Sequence, residues 1–256
     1  TVEPIFSFAV VDNENGTYGV LRLESFTPSK ISVDELILLI RSTVIEKMQN
    51  TNGIIFDLRN NGGGQIYLAE GLVQLFTMNT VSPLGFQLLN SPVNQAMAAG
   101  PSFLSPAFVK ALQRAALTGA VMTEPIALNP QNKINQLGQF YFKPVAVLTN
   151  SACYSSCDVA SALFQDSANV TIWTEDGNTG GGGANNVQHS EVLESIKGHD
   201  PGPFVTLPGS QEIGFAWRQM VRSGKNSGKL IEDTGIVGDR LVPLSIEDLY
   251  SDGRRQ

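Results

Sequence analysis

Residues 4–12 and 17–24 read as two strands joined by "NENG", a hairpin-type turn. The period then changes. In "SVDELILLIRSTVIEKMQN" (32–50), Val33, Leu36, Ile37, Ile40 and Val44 recur at helical spacing, and Ser32 with Glu35 makes a capping box at the start. "GIIFDL" (53–58) is a short continuous apolar run, the pattern of a strand buried on both faces. The loop "RNNGGG" follows, and a helix is expected from about Ile66 to Phe76. This strand–helix–strand–loop–helix order predicts an α/β layered core.

Residues 80–138 break the rhythm. Helical patches such as "PAFVKALQRAAL" are interrupted by Pro83, Pro92, Pro101, Pro106, Pro125 and Pro130. The segment reads as an insertion packed over one end of the sheet as a lid, with an ordinary helical excursion as the competing reading. Beyond it, "KPVAVLT" (143–149) predicts a buried strand. A helix from about Ser155 to Asp166 follows, with Val159, Ala160, Leu163 and Phe164 inward. "VTIWT" (170–174) predicts another strand, a glycine-rich loop and a short helix near 190–197 come next, and "QEIGFAWRQMVRS" and "GIVGDRLVP" supply final strands. The whole of 1–256 is thus read as one catalytic-type core carrying the 80–138 insertion. Because the sequence starts abruptly in strand-like residues, an upstream signal or domain is expected to precede it.

Composition narrows the function classes. The 256 residues are 42% hydrophobic and 16% charged, with formal net charge −7, which argues against nucleic acid as the main partner because phosphate binding needs a basic surface. No apolar run approaches the length of a membrane-spanning helix. The 25 glycines concentrate at Gly62–Gly64 and Gly180–Gly183, marking places where backbone bends tightly or approaches something closely. The second cluster lacks the GK[ST] ending of a phosphate loop.

Two loops follow buried strands and precede helices, where ligand sites collect in open α/β sheets. One offers glycine backbone at Gly62–Gly64, with Asp57 and Arg59 placed to hold its shape. The other, in "VLTNSACYSSCDVASALFQD" (147–166), offers hydroxyls at a helix start. A serine there sits in a positive dipole field that favours a developing anion, so Ser155 is a candidate nucleophile; a plain N-cap is the alternative. Cys153 and Cys157 flank it. A disulfide between them would brace the turn and imply an oxidising compartment, against the alternative of two small buried thiols. The cysteine and histidine spacing matches no common zinc template, and neither a metal nor a cofactor is expected.

The ordered set "GIIFDLRNNGGG", "VAVLTNSACYSSCDVASALFQD" and "TEDGNTGGGGAN" resembles the C-terminal processing peptidases, or tail-specific proteases, whose relatives include the tricorn core and the chlamydial protease-like factor. "YGVLRLESF" and "GKLIEDTGIVGDRLVPLSIEDL" extend the likeness over most of the chain outside 80–138. The resemblance implies a crotonase/Clp protease-like α/β core with a mixed sheet, and a serine endopeptidase acting through an acyl-enzyme. It places the nucleophile on Ser155 and the oxyanion N–H donors on Gly63 and Ser156. The pattern departs at the base: "NTGGGGAN" holds no lysine where the bacterial enzymes carry one. The tricorn-like branch uses His with a Glu nearly sixty residues after the serine, and Glu212 lies 57 after Ser155. That branch draws its His from upstream, where this chain has none. Of the two histidines, His189 follows the glycine loop and carries an imidazole, the side-chain type best suited to take a proton near neutral pH, whereas His199 reads as a solvated loop residue. Three readings stay open: His189 as base, a base on an upstream segment, and a catalytically inactive relative that binds peptides or apolar ligands. The expected partners are peptides or unfolded proteins, in a secreted or periplasmic setting, with the oligomeric state open.

Overall fold

The computed structural model describes residues 3–100, 104–183, 185–199, 202 and 204–246. In chain order the first elements are β1 (Phe6–Asn13), β2 (Gly16–Leu23), α1 (Val33–Thr43), β3 (Gly53–Asp57) and α2 (Ile66–Val73). Next come β4 (Gly85–Leu88), α3 (Pro92–Ala99), α4 (Pro106–Thr118), β5 (Ile126–Ala127) and α5 (Gln131–Ile134). Then follow β6 (Val145–Thr149), α6 (Ser156–Asp166), β7 (Thr171–Thr174), β8 (Asn186–Gln188) and α7 (His189–Ser195), and last β9 (Gly214–Ala216), β10 (Arg218–Val221) and β11 (Arg240–Leu241). They group into two compact units: Thr1–Pro83, Asn129–Gly182 and Arg222–Gln256 form one, and Leu84–Leu128 with Gly183–Val221 the other.

The first unit is built on a six-stranded sheet in the order β1-β2-β3-β6-β7-β11. The β1–β2 hairpin is antiparallel and every later pairing is parallel, so the sheet is mixed. The α1 start matches its sequence signature: Ser32 N–H donates to Glu35 Oε2 at 2.8 Å, and Glu35 N–H returns to Ser32 Oγ at 3.2 Å. Leu36, Ile37, Ile40 and Val44 of the expected stripe are buried. The helix runs on as a wider turn over Val44–Met48. Leu21, Leu23, Ile54, Phe56, Val147 and Ile172 from the sheet and Leu68, Leu72, Val159, Leu163 and Phe164 from α2 and α6 are all buried. Phe56 meets Phe164 edge-on at 5.7 Å between centroids, and both lie near Phe76. Buried aliphatic and aromatic area of this kind is the main force holding the layers together.

One expectation needs correction. Strand β3 is not buried on both faces: Ile54 and Phe56 are sealed, but Ile55 is half-buried on the opposite face. There Val20, Ile55, Ala146, Leu148, Trp173 and Val242 line an open depression of about 420 Å³. A continuous apolar run cannot report which of its two faces finds a cover.

The second unit contains a three-stranded antiparallel sheet, β10-β4-β5, the helices α3, α4 and α7, and the antiparallel pair β8–β9. Its prolines do not break the helices. Pro92 and Pro106 open α3 and α4 at the first helical position, where a missing N–H costs nothing, and Pro130, in the first unit, caps α5. Pro101 lies outside the described residues. Residues 214–216 and 218–221, within the stretch expected to supply a late strand, pair here, with Met220 opposite Phe86 and Val187 opposite Phe215.

Candidate active site

Three loops leave the carboxyl ends of parallel strands in the first unit: 58–65 after β3, 150–155 after β6 and 175–182 after β7. Polar side chains stitch them together. Asn60 N–H donates to Asn150 Oδ1 at 3.0 Å, and Asn150 Nδ2 returns to Asn60 Oδ1 at 2.9 Å. Arg59 donates to both Asp57 oxygens and, through Nη1, to Glu175 Oε1 at 2.7 Å. Burial opposes a charge on Asp57, but the hydrogen bonds and charge of Arg59, helped by Arg22, outweigh it and hold the carboxyl below its ordinary value. The same two carboxylates raise the Arg59 pKa further. Asp57 and Arg59 therefore shape the loop, as their positions suggested, and the link to Glu175 extends the hold to a third strand end.

Ser155 occupies the N-cap position of α6 with φ 57° and ψ −117°. Its side chain makes no capping hydrogen bond, so the simple N-cap reading does not describe the hydroxyl. A non-glycine residue in this sparsely populated region costs about 1–3 kcal/mol, and such strain persists where the surroundings over-determine it. A sharp strained strand-to-helix turn is how a nucleophilic serine is raised clear of a sheet. The surroundings here are strong. Cys153 and Cys157 form a disulfide with Cα atoms 5.3 Å apart. Tyr154 N–H donates to Asn61 O at 3.0 Å, Ser155 N–H to Gly182 O at 3.2 Å, and Gly180 N–H to Cys153 O at 2.8 Å.

The glycine loop after β3 touches this turn directly. A Cβ on Gly63 would lie 2.7 Å from Ser155 Cβ, 2.7 Å from Tyr154 O and 2.9 Å from Ser156 N, and Gly63 φ is +98°. Ser156 Oγ donates to Gly64 O at 2.7 Å, fastening the helix start to the same loop. Of the two expected oxyanion donors, the Ser156 amide has no protein acceptor among the described residues. The Gly63 amide instead donates to Asn61 Oδ1 at 2.8 Å, so it reaches a ligand only by sharing or exchanging that bond. Asn61, which also donates to Leu23 O at 2.8 Å, was not singled out in the sequence; its place before three glycines was the available signal.

Asp158 likewise received no role from the sequence. It is fully buried on the first turn of α6 and accepts from Thr179 Oγ1, Gly181 N–H and Gly182 N–H. Burial pushes its pKa up to about 6, and the hydrogen bonds from Thr179, Gly181, Gly182 and Ser155 only partly counter that.

His189 and Glu212 belong to the second unit. His189 begins α7, is buried, and its ring lies against Phe204 with centroids 4.6 Å apart. Its backbone N–H donates to Ile213 O at 3.0 Å, and the next residue, Ser190, donates its backbone N–H to Glu212 Oε2 at 3.3 Å. The two residues thus lie on neighbouring segments of one unit, as Ser155, Ser156 and Gly63 do in the other. His199 is exposed beside Lys197 O.

The family model described as peptidase family S41 matches residues 17–199. Among solved structures, mature CPAF aligns with TM-score 0.66 and 16% identity over 97% of this chain and 51% of that one. A peptidase assigned as putative from Parabacteroides merdae ATCC 43184 aligns with TM-score 0.59 and 17% identity over 98% of this chain and 61% of that one. The photosystem II D1 C-terminal processing protease gives 0.52 and 15%, over 93% and 48%. The chain therefore spans about half the length of mature CPAF. No curated protein matches it.

Proposed function

The chain belongs to peptidase family S41, and from that membership we propose that it is the catalytic part of a serine endopeptidase. The observation that carries this reading is the Ser155 turn: a hydroxyl uncommitted to capping, on strained backbone, at the positive end of a helix and half-buried rather than sealed.

In the proposed mechanism Ser155 Oγ attacks the carbonyl carbon of a peptide bond and loses its proton to a base. His189 is our assignment for that base and Glu212 for the group that orients it, supported by their neighbouring positions in the second unit. The negative oxygen of the tetrahedral intermediate meets the free amide of Ser156 and, by exchange from Asn61, the amide of Gly63. The base then protonates the leaving amine, and water releases the acyl-enzyme. Peptides and unfolded proteins are the proposed substrates, and the 80–138 segment is proposed to restrict access. The Cys153–Cys157 bridge supports a secreted or periplasmic location, because thiols in reducing compartments stay unpaired.

The test is labelling with a fluorophosphonate probe followed by peptide mapping, in wild type, Ser155→Ala, His189→Ala and Glu212→Gln. Labelling at Ser155 that is lost in Ser155→Ala and His189→Ala, and slowed in Glu212→Gln, is the expected result. Labelling that survives His189→Ala moves the base elsewhere. Unlabelled wild type defeats the peptidase reading of this chain.

A further inference from the structure

The residue before the serine raises a separate question. Tyr154 is 44% exposed, whereas Cys153, Ser156, Cys157 and Asp158 around it are buried. One exposed aromatic is ordinary on a protein surface and says nothing alone. What distinguishes this one is the seat made for it. A Cβ on Gly180 would fall 2.2 Å from Tyr154 Cε2 and 2.4 Å from Cδ2 and Cζ, so any side chain larger than glycine at 180 collides with the ring. A Cβ on Gly182 would lie 3.7 Å from Cε1, and the Gly182 carbonyl is the group that accepts the Ser155 amide. The ring therefore rests on bare loop backbone, one residue from the nucleophile.

The backbone that carries the ring is also fixed. Tyr154 N–H is bound to Asn61 O, its own carbonyl accepts from Cys157 N–H at 2.9 Å, and the disulfide closes the turn on either side. One side of the ring is covered by glycine backbone, and 44% of the residue is exposed. For attack, a scissile carbonyl carbon must come within about 3–3.5 Å of Ser155 Oγ. The substrate side chains flanking that carbon then lie about one residue's length from Ser155, and Tyr154 is its immediate neighbour in the chain.

We propose that Tyr154 is a specificity-determining residue: its open face forms one wall of the subsite for a side chain flanking the scissile bond, and it selects an aromatic or large apolar side chain there. A flat π surface favours an aromatic partner in offset or edge-to-face contact, while alanine at the same substrate position leaves the ring uncovered. The inference rests on the reading of Ser155 as nucleophile and extends it to substrate class.

The test uses the full chain, wild type and Tyr154→Ala and Tyr154→Phe, on matched fluorogenic peptides. These differ only in Phe or Ala at one position flanking the scissile bond, each flank in turn. Fluorophosphonate labelling of Ser155 runs alongside. Wild type is expected to prefer the Phe peptide at one flank. Tyr154→Ala should lower the Phe-to-Ala ratio of kcat/KM roughly tenfold, chiefly through KM, the size of a buried aromatic contact. Tyr154→Phe should keep the ratio, and labelling should persist in both variants. If Tyr154→Ala fails to fold, Tyr154→Leu, which retains bulk without a π face, is read the same way. A wild type without aromatic preference overturns the proposal. So does a Tyr154→Ala that depresses both peptides and the labelling equally, since the ring would then only support the turn. Wild type that is labelled while the ratio is unmoved defeats the Tyr154 assignment alone; wild type that is neither labelled nor active defeats the nucleophile reading beneath it.

Discussion

The carboxylate of Asp158, three residues after Ser155, accepts the Thr179 hydroxyl at 2.5 Å. It also accepts the Gly181 and Gly182 amides at 3.1 and 3.4 Å, so one buried acid fastens the second glycine loop to the start of α6. Thr179 Oγ1 is itself fixed by the Ile236 amide at 2.7 Å. Thr179→Val keeps the volume and removes the donor, leaving a buried carboxylate short of a partner. The expected cost is about 2–3 kcal/mol, read from the urea midpoint. A change below about 0.5 kcal/mol would mean that the glycine amides alone satisfy Asp158.

Asp158 also sets a pH dependence with a definite sign. Its carboxyl titrates near 6 in the folded chain against an ordinary 3.8. Between those values the folded state holds a proton that the unfolded state has released. The stabilisation from this group is therefore complete below pH 3.8 and is lost as pH rises through 6. The size is about 3 kcal/mol from end to end. Asp57, whose pKa is lowered, acts in the opposite sense, so the comparison must isolate Asp158. The stability of wild type minus that of Asp158→Asn is expected to grow in favour of wild type from pH 7 down to pH 4. A difference that stays flat contradicts the assignment.

Backbone strain at Ser155 predicts a trade between stability and activity. Glycine accepts φ 57°, ψ −117° without the steric penalty that serine bears. Ser155→Gly is expected to lose labelling altogether while gaining about 1 kcal/mol of stability over Ser155→Ala, in which the same backbone strain remains. Equal melting temperatures for the two variants would show that the turn is not strained in solution.

Gly63→Ala is the steric counterpart. The added methyl meets Ser155 Cβ, Tyr154 O and Ser156 N, all at less than 3.0 Å, and two of these are backbone of the Ser155 turn. The loop must move, taking the glycine amide with it. Labelling of Ser155 should fall about 100-fold or more, as for loss of an oxyanion donor. Labelling within threefold of wild type would show that Gly63 takes no part.

Reducing the Cys153–Cys157 bridge should act locally. It closes a loop with a sequence separation of 4, for which chain-entropy reasoning gives only about 2 kcal/mol. The greater effect is expected on the turn. Thiol treatment or Cys153→Ser should slow labelling of Ser155 more than tenfold, while the urea midpoint shifts only by that modest amount. An unchanged labelling rate would leave the bridge as a brace for stability alone.

Local patterning carried much of this structure. The Ser32–Glu35 capping box, the α1 stripe, the strands β3 and β6, and a serine at a strand-to-helix junction beside a second glycine loop are all properties of adjacent residues, whose spacing is set by helix and strand geometry. The four-residue cysteine spacing likewise admits a bridge without help from the rest of the fold. Other features depended on residues far apart in the chain. Only the fold decided that 218–221 pair with 85–88, that one face of β3 stays open, and that the Gly63 amide is taken by Asn61. It also decided that Asp158 is sealed from water and so titrates near 6. Periodicity is a short-range signal; strand partners, the acceptor of a given amide and the dielectric around a carboxyl are fixed by whatever long-range packing brings alongside, and no single stretch of sequence contains them.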